Sequence, residues 1–306
     1  MEPRIRKVWL TGARGQLGQA LLHLYPSLKE LGAEWIEGYG RVDISNDREL
    51  KSFLQHEQPD IIINAAAFTN VDRAGAELLQ SYRTNAEAVR TMARYCVERK
   101  RLLLQVSTDY LFGGAGVAPF SEEQPPYPIN IYGATKALGE AYIEEEMHST
   151  TAEHRYYILR TAWLYGPSRF GQNFYTTIRH KALQGEALRV VQDEIGSPTS
   201  TLTLARIIFA FLEAYCNSDH PLPYGTYHAV DAGTTSRYEW AKAIVALDPK
   251  TASIAITPIL SKELPPRPAE RPHNTSLCND KLKQILPHLI RPWQEALQEV
   301  YYLDKR

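Results

Sequence analysis

Tyr132 and Lys136 stand four residues apart in Tyr132-Gly-Ala-Thr-Lys136, and Ser107-Thr108-Asp109-Tyr110 lies shortly before them. If a helix runs from Ile131, the two share one face. A free tyrosine ionises near pH ~10 and is a poor proton-transfer group near neutrality. A lysine ammonium alongside favours the phenolate and lowers that value. The hydroxyl of Thr108 could then hold a substrate oxygen against the phenol, which makes a proton-transfer device for a carbonyl–alcohol pair. Tyr-x-x-x-Lys alone equally describes an exposed helix face, and its weight comes from what precedes it.

The elements that must position these groups read as strands alternating with helices. Val8-Trp9-Leu10 is a short buried strand that enters Thr11-Gly-Ala-Arg-Gly-Gln-Leu-Gly18, followed by an amphipathic helix to about Leu24. Strand, glycine turn and helix are the context of a dinucleotide fingerprint. Gly12 allows the tight turn, Gly15 a close backbone approach to a pyrophosphate, and Gly18 close packing of the helix on the sheet. The helix N-terminus then faces the phosphates. Further strands are expected near Glu34–Glu37, at Ile61-Ile62-Ile63, at Arg101–Val106 and at Tyr156–Arg160. Helices are expected from Ser45 or Asn46 to about His56 and from about Leu78 to Arg99. Asn85 falls inside the last of these; it could orient a water or Lys136, or simply be solvated. Such alternation implies an α/β fold with a doubly wound parallel sheet, whose ligands bind outside the strand C-termini.

The second half is less regular. Helices are expected over Asn173–Gln184, Thr201–Tyr215 and Ser236–Leu247, and strands over Leu188–Val191 and Gly225–Val230. Pro258, Pro265, Pro266, Pro268 and Pro272 then crowd a loop carrying Arg267, Arg271, His273 and Asn274. Arginines there suit a diphosphate, and a plain linker is the competing reading. Across 306 residues, 34 Lys and Arg balance 35 Asp and Glu, so neither nucleic acid nor a membrane surface is implied as a partner. Three scattered cysteines, Cys96, Cys216 and Cys278, form no metal-ligand pattern and point to a reducing, cytoplasmic setting. No segment approaches a membrane span.

Gly12-x-x-Gly15-Gln-Leu-Gly18, Asn64-Ala-Ala-Ala, Ser107-Thr-Asp-Tyr-Leu-Phe and Tyr132-x-x-x-Lys136 together resemble the extended short-chain dehydrogenases/reductases. Asn64-Ala-Ala-Ala-Phe-Thr-Asn-Val-Asp, Arg160-Thr-Ala-Trp-Leu-Tyr, Asn173-Phe, Gly196-Ser-Pro-Thr, Gly225-Thr-Tyr-His and Arg271-Pro-His-Asn narrow the resemblance to the dTDP-4-dehydrorhamnose reductases, over nearly the whole chain. The resemblance implies a Rossmann-type sheet with a smaller mixed C-terminal substrate-binding domain. Residues 1–166, rejoined by roughly 197–232, would hold the dinucleotide, and 167–306 mainly the substrate. It implies reduction of dTDP-4-dehydro-L-rhamnose to dTDP-L-rhamnose. Tyr132 would be the proton donor. Lys136 would lower its pKa and hold the nicotinamide ribose, and Thr108 would tune Tyr132 and touch the sugar. By the same resemblance Val71, Asp109 and Trp163 contact the substrate, and Gly15, Gln16, Leu17, Asp43, Ile44, Ala67, Phe68 and Thr69 contact the cofactor.

Arg14, just before the second glycine, is placed where a cation can meet a 2′-phosphate, and Arg41 could assist. Glu37 would favour an unphosphorylated ribose. The balance favours NADPH, with NADH as a substitute. Three positions depart from the family pattern. Ala20 and Leu202 stand where some members carry acidic residues of a magnesium-linked dimer interface, so no metal and a monomer or weak homodimer are expected. Gly113-Gly114 follows Phe112 where Asp-Gly is frequent. Arg237 replaces an aromatic residue; it either alters sugar or base contacts or is exposed. Two alternatives stay open: another nucleotide-sugar 4-keto reductase or epimerase, and a non-catalytic subunit like the regulatory subunit of methionine adenosyltransferase.

Overall fold

The computed structural model describes residues 5–36, 42–114, 116–148, 155–217 and 221–305. Six strands form its main sheet: β1 (Arg6–Thr11), β2 (Ala33–Trp35), β3 (Ile61–Asn64), β4 (Leu102–Thr108), β5 (Tyr156–Thr161) and β6 (Gly225–His228). Their order is β6-β5-β4-β3-β1-β2, and all pairings are parallel. The chain leaves β1 outward to β2 and returns to β3 on the other side. The crevice above β1 and β3 is therefore the topological switch point of a doubly wound α/β sheet.

Alternation along the strands supplies apolar side chains to both faces, as a parallel sheet requires. Val8, Leu10, Ile61, Ile63, Leu102, Leu104, Tyr157 and Leu159 enter one core, and Trp9, Ile62, Leu103, Tyr156 and Ile158 the other. The first core is covered by helices α1 (Gln16–Leu24) and α6 (Thr201–Asn217), the second by α2 (Asp47–Glu57), α3 (Ala88–Arg99) and α4 (Ile131–His148). Asn46 starts α2 by accepting from the Glu49 amide.

Two expected elements differ in detail. β4 runs on to Thr108, so Ser107 and Thr108 sit inside the ladder opposite Arg160 and Thr161. The helix expected over 78–99 is interrupted: after Leu78–Tyr82 comes a π turn, Arg83–Glu87, and only then α3. Asn85 lies in that turn. A Cβ on Gly139 of α4 would collide with the Asn85 carbonyl, so the two elements meet where the ladder is opened.

Beyond β5, besides α6 and β6, the chain forms α5 (Phe174–Leu183), α7 (Arg237–Ala246), α8 (Trp293–Asp304) and short strand pairs. Leu188–Val191 pairs in parallel with Ile256–Ile259, and Leu164–Tyr165 with Thr199–Ser200; Ile195–Gly196 pairs antiparallel with Thr235–Ser236. Tyr165, Tyr175, Trp240, Trp293 and Leu297 join the same core as Leu10 and Ile63. Ala20 and Leu202 are both buried in that core. There they help join α1 and α6 to the rest of the core. Among the described residues no helix is long and apolar enough to cross a membrane.

Candidate active site

The glycine turn leaves β1 at Gly12, whose φ is +66°. A Cβ there would lie 2.7 Å from the Ala66 amide nitrogen, so the turn rests directly on the backbone that follows β3. At Gly18 a Cβ would collide with the Gly12 carbonyl and Ala13. Gly18 thus lets α1 close onto its own turn, where contact with the sheet was the expectation. Gly15 is the N-cap of α1 and offers no side-chain cap, and no acidic residue occupies the first turn. The first amides of α1 therefore remain donors beside a positive helix terminus, which fits a pyrophosphate. Gln16 lies at the mouth, accepting from Asn173 Nδ2 at 2.9 Å, while Leu17 is buried behind it.

The other expected cofactor residues surround this turn with uneven exposure. Arg14 is exposed. Asp43 is exposed, and its Oδ1 accepts from the Ser45 amide and hydroxyl at 3.0 and 2.7 Å; Ile44 is buried. Ala67, Phe68 and Thr69 follow β3. Asn85 clamps that segment, accepting from Phe68 N at 2.8 Å and donating to Phe68 O at 3.2 Å. The side chain of Asn85 thus orders the loop, and a hydrogen bond to Lys136 is not among its contacts. Glu37 and Arg41 lie outside the described residues.

A buried polar line crosses the strand ends. Thr11 Oγ1 donates to Asn64 Oδ1 at 2.5 Å, Asn64 Nδ2 to Gln105 Oε1 at 2.7 Å, and Gln105 Nε2 to the Val106 carbonyl at 2.6 Å. Lys136 Nζ donates to the same carbonyl at 2.7 Å. Burial pushes the Lys136 ammonium down to about 8, and Glu140 one turn on partly opposes the shift. Glu140 in turn forms a buried bidentate pair with Arg160, with contacts of 2.7 to 3.2 Å.

Tyr132 begins α4 at the end of β4. Asn130 accepts from the Gly133 amide at 2.9 Å. A Cβ on Gly133 would fall on the Tyr110 carbonyl, so only glycine lets the helix start so close to the turn Asp109–Leu111. The Tyr110 and Tyr132 rings meet edge to face at 5.7 Å. Burial raises the Tyr132 phenol above its ordinary value; the Thr108 hydroxyl opposes this, and the charge of Asp109 adds to it. Lysine was expected to lower that pKa. Here burial acts against that lowering, and Lys136 is turned to the Val106 carbonyl. Asp109 is 3 % exposed. Thr275 Oγ1 donates to its Oδ2 at 2.5 Å and Thr108 Oγ1 to its Oδ1 at 3.1 Å. Burial lifts its carboxyl to about 6 against those two bonds and Arg237.

The facing wall closes over this cluster. Trp163 follows β5 with φ +43° and lies against Gly196, where any Cβ would strike the indole. Arg271 donates to Asp72 at 2.8 Å and to the Ala269 carbonyl at 2.9 Å, so the arginine expected to meet a diphosphate straps its loop to the segment after β3. Arg267 donates to Glu194 at 2.7 Å. Gly113, with φ +122°, lies under Pro272, which gives Gly113-Gly114 a packing reason. Val71 lines a cavity of about 400 Å³ with Asn130, Ile131, Pro268, Ala269 and Glu270, at the mouth between the two walls. Thr275 and Gln105 were not among the expected site residues. Thr275 follows directly on the Arg271-Pro-His-Asn run, but its bond to Asp109 spans 166 positions, and no spacing reveals that.

Residues 6–305 match the family described as RmlD substrate binding domain. The chain is 35 % identical to the spore coat polysaccharide biosynthesis protein SpsK of Bacillus subtilis, over 98 % of each chain. It is also 35 % identical to the dTDP-4-dehydrorhamnose reductase of Streptomyces griseus, covering 98 % of this chain and 95 % of that one. Among solved structures, the dTDP-4-dehydrorhamnose reductase of Bacillus anthracis in complex with NADP superposes with a TM-score of 0.84 at 31 % identity, covering 97 % of this chain and 99 % of that one.

Proposed function

The chain belongs to the dTDP-4-dehydrorhamnose reductase family, and from that premise we propose that it reduces dTDP-4-dehydro-L-rhamnose to dTDP-L-rhamnose with NADPH, Tyr132 giving the proton. The observation that carries this reading is the grouping of Thr108, Tyr132 and Lys136 at the end of β4, beside a glycine turn with uncapped amides. The dinucleotide would lie over Gly12, Gly15, Gln16 and Leu17 and along Asp43, Ile44 and Ala67–Thr69. Arg14 at the turn accounts for the phosphorylated form, with NADH as a weaker substitute. The reduced nicotinamide supplies the hydride.

Everything else falls to the protein. Thr108, whose hydroxyl donates to Asp109 here, would turn that hydrogen to the sugar carbonyl oxygen. As hydride reaches the carbon, negative charge grows on that oxygen, and the Tyr132 hydroxyl transfers its proton there. The protonated phenol is the form this transfer needs. Lys136, charged below about pH 8, would hold the ribose. Asp109, Trp163 and Val71 position the hexose, and Arg271 holds the loop over the site through Asp72. Purified protein supplied with NADPH and dTDP-4-dehydro-L-rhamnose should oxidise one cofactor per dTDP-L-rhamnose formed. Tight NADPH binding without turnover of this sugar would contradict the assignment.

A further inference from the structure

Arg237 opens α7 directly after Ser236, whose hydroxyl caps the helix by accepting from the Glu239 amide at 3.1 Å. Its own amide donates to the Glu194 carbonyl at 3.1 Å, and the strand pair Thr235–Ser236 with Ile195–Gly196 fixes where the side chain starts. The side chain is 16 % exposed, so the reading of an exposed arginine does not hold. Its guanidinium carbon lies 3.7 Å from the centre of the Trp163 ring, 4.9 Å from that of Phe174 and 5.5 Å from that of Trp240. Those rings are themselves stacked, Trp163 on Trp240 at 5.6 Å and Phe174 on Trp240 at 4.8 Å.

The guanidinium is held by π faces and left without a close acceptor. Glu194 stands 3.9 Å from Nε, beyond hydrogen-bond reach, and is already bonded by Arg267. Asp109, close enough to interact electrostatically, is taken by Thr275 and Thr108. Among the described residues the Arg237 side chain thus donates no hydrogen bond, although it carries five donors in a fixed fork.

We propose that Arg237 is a specificity-determining residue that reads hydroxyl groups of the hexose ring by donating to their oxygens. The proposal rests on the reductase reading above. Two features separate a sugar hydroxyl from a phosphate as its target. Asp109 and Glu194 flank the guanidinium and would repel a dianion, whereas a polyol both accepts and donates. Asp109 is also bonded to Thr108, which places Arg237 two side chains from the carbonyl cluster.

The test compares a nucleotide-linked 4-keto hexose with its 2-deoxy and 3-deoxy counterparts, using wild type, Arg237→Met and Arg237→Lys. A site built to bond a hydroxyl rejects the analogue lacking it strongly. Wild type should therefore prefer the fully hydroxylated sugar in kcat/KM by about tenfold or more over at least one deoxy analogue. Arg237→Met should lose that preference through KM for the hydroxylated sugar, and Arg237→Lys should keep part of it. KM for NADPH and the melting temperature should not move. A methionine variant that keeps the wild-type preference would overturn the proposal. So would an equal loss on all sugars accompanied by weaker inhibition by free dTDP, which would mark a phosphate contact. Wild type that turns over none of the sugars would overturn the reductase reading and the proposal together.

Discussion

One wall of the cleft, from β1 through β4, takes its shape from backbone ladders and alternating apolar residues, with the polar line from Thr11 to Lys136 laid across strand ends. The facing wall, from Trp163 to Thr275, has only two- to four-residue strand pairs. It is fixed by side chains that reach across the chain: Arg271 to Asp72, Arg267 to Glu194, Thr275 to Asp109, Arg237 onto Trp163. The first wall presents backbone amides and a glycine turn, which suit a ligand common to many proteins. The second presents guanidinium, carboxyl and indole groups, which suit a particular sugar. Rigid periodic structure carries the shared chemistry, and individually placed side chains carry selectivity.

If that contrast is right, damage to the first wall should appear as lost stability and damage to the second as lost substrate affinity. The largest expected effect is at the Glu140–Arg160 pair, which ties α4 to β5 behind the first wall, with side chains 4 % and 5 % exposed. Arg160→Met strands a buried carboxylate behind Lys136 and should cost about 3–5 kcal/mol in denaturant unfolding. A loss below 1 kcal/mol would show that the pair does not anchor the wall. Arg271→Ala comes next. Its partner Asp72 is 40 % exposed, so stability should fall by about 1 kcal/mol or less. KM for the sugar nucleotide should rise about tenfold with NADPH binding unchanged. Unchanged substrate KM would remove Arg271 from the site.

The smallest effect is a shift in pH profile. Asp109, lifted to about 6, and Lys136, lowered to about 8, should bound activity on the acid and alkaline sides: below about 6 Asp109 is protonated, and above about 8 Lys136 loses its charge. The Thr275 bond favours ionised Asp109, so Thr275→Val should move the acid limb upward by roughly half a unit to one unit and leave the alkaline limb in place. A profile flat through pH 6 would show that Asp109 takes no part.

The same contrast explains what the sequence discloses. Val8–Leu10, Ile61–Ile63 and the turn Gly12–Gly18 are legible because burial on both faces and a positive φ leave few residue choices. Tyr132 and Lys136 are legible because helix spacing brings them onto one face. The end of β4 is less so: Ser107 and Thr108 are polar, yet pairing with Arg160 and Thr161 keeps them in the ladder. The π turn at Asn85 is hidden because local propensity cannot show that α4 needs the space. On the second wall Thr275 is invisible to periodicity, since Asp109 stands far away along the chain, and Ile256–Ile259 becomes a strand only because Leu188–Val191 lies beside it.

The central claim is that Tyr132 hands its proton to the substrate across the seam between these walls. Its most direct test is Tyr132→Phe, measured for NADPH affinity by calorimetry and for turnover by NADPH oxidation with dTDP-4-dehydro-L-rhamnose. Turnover should fall by about 10²- to 10⁴-fold while NADPH binds as in wild type. Near-normal turnover in a variant that still binds NADPH would place the proton donor elsewhere and contradict the account.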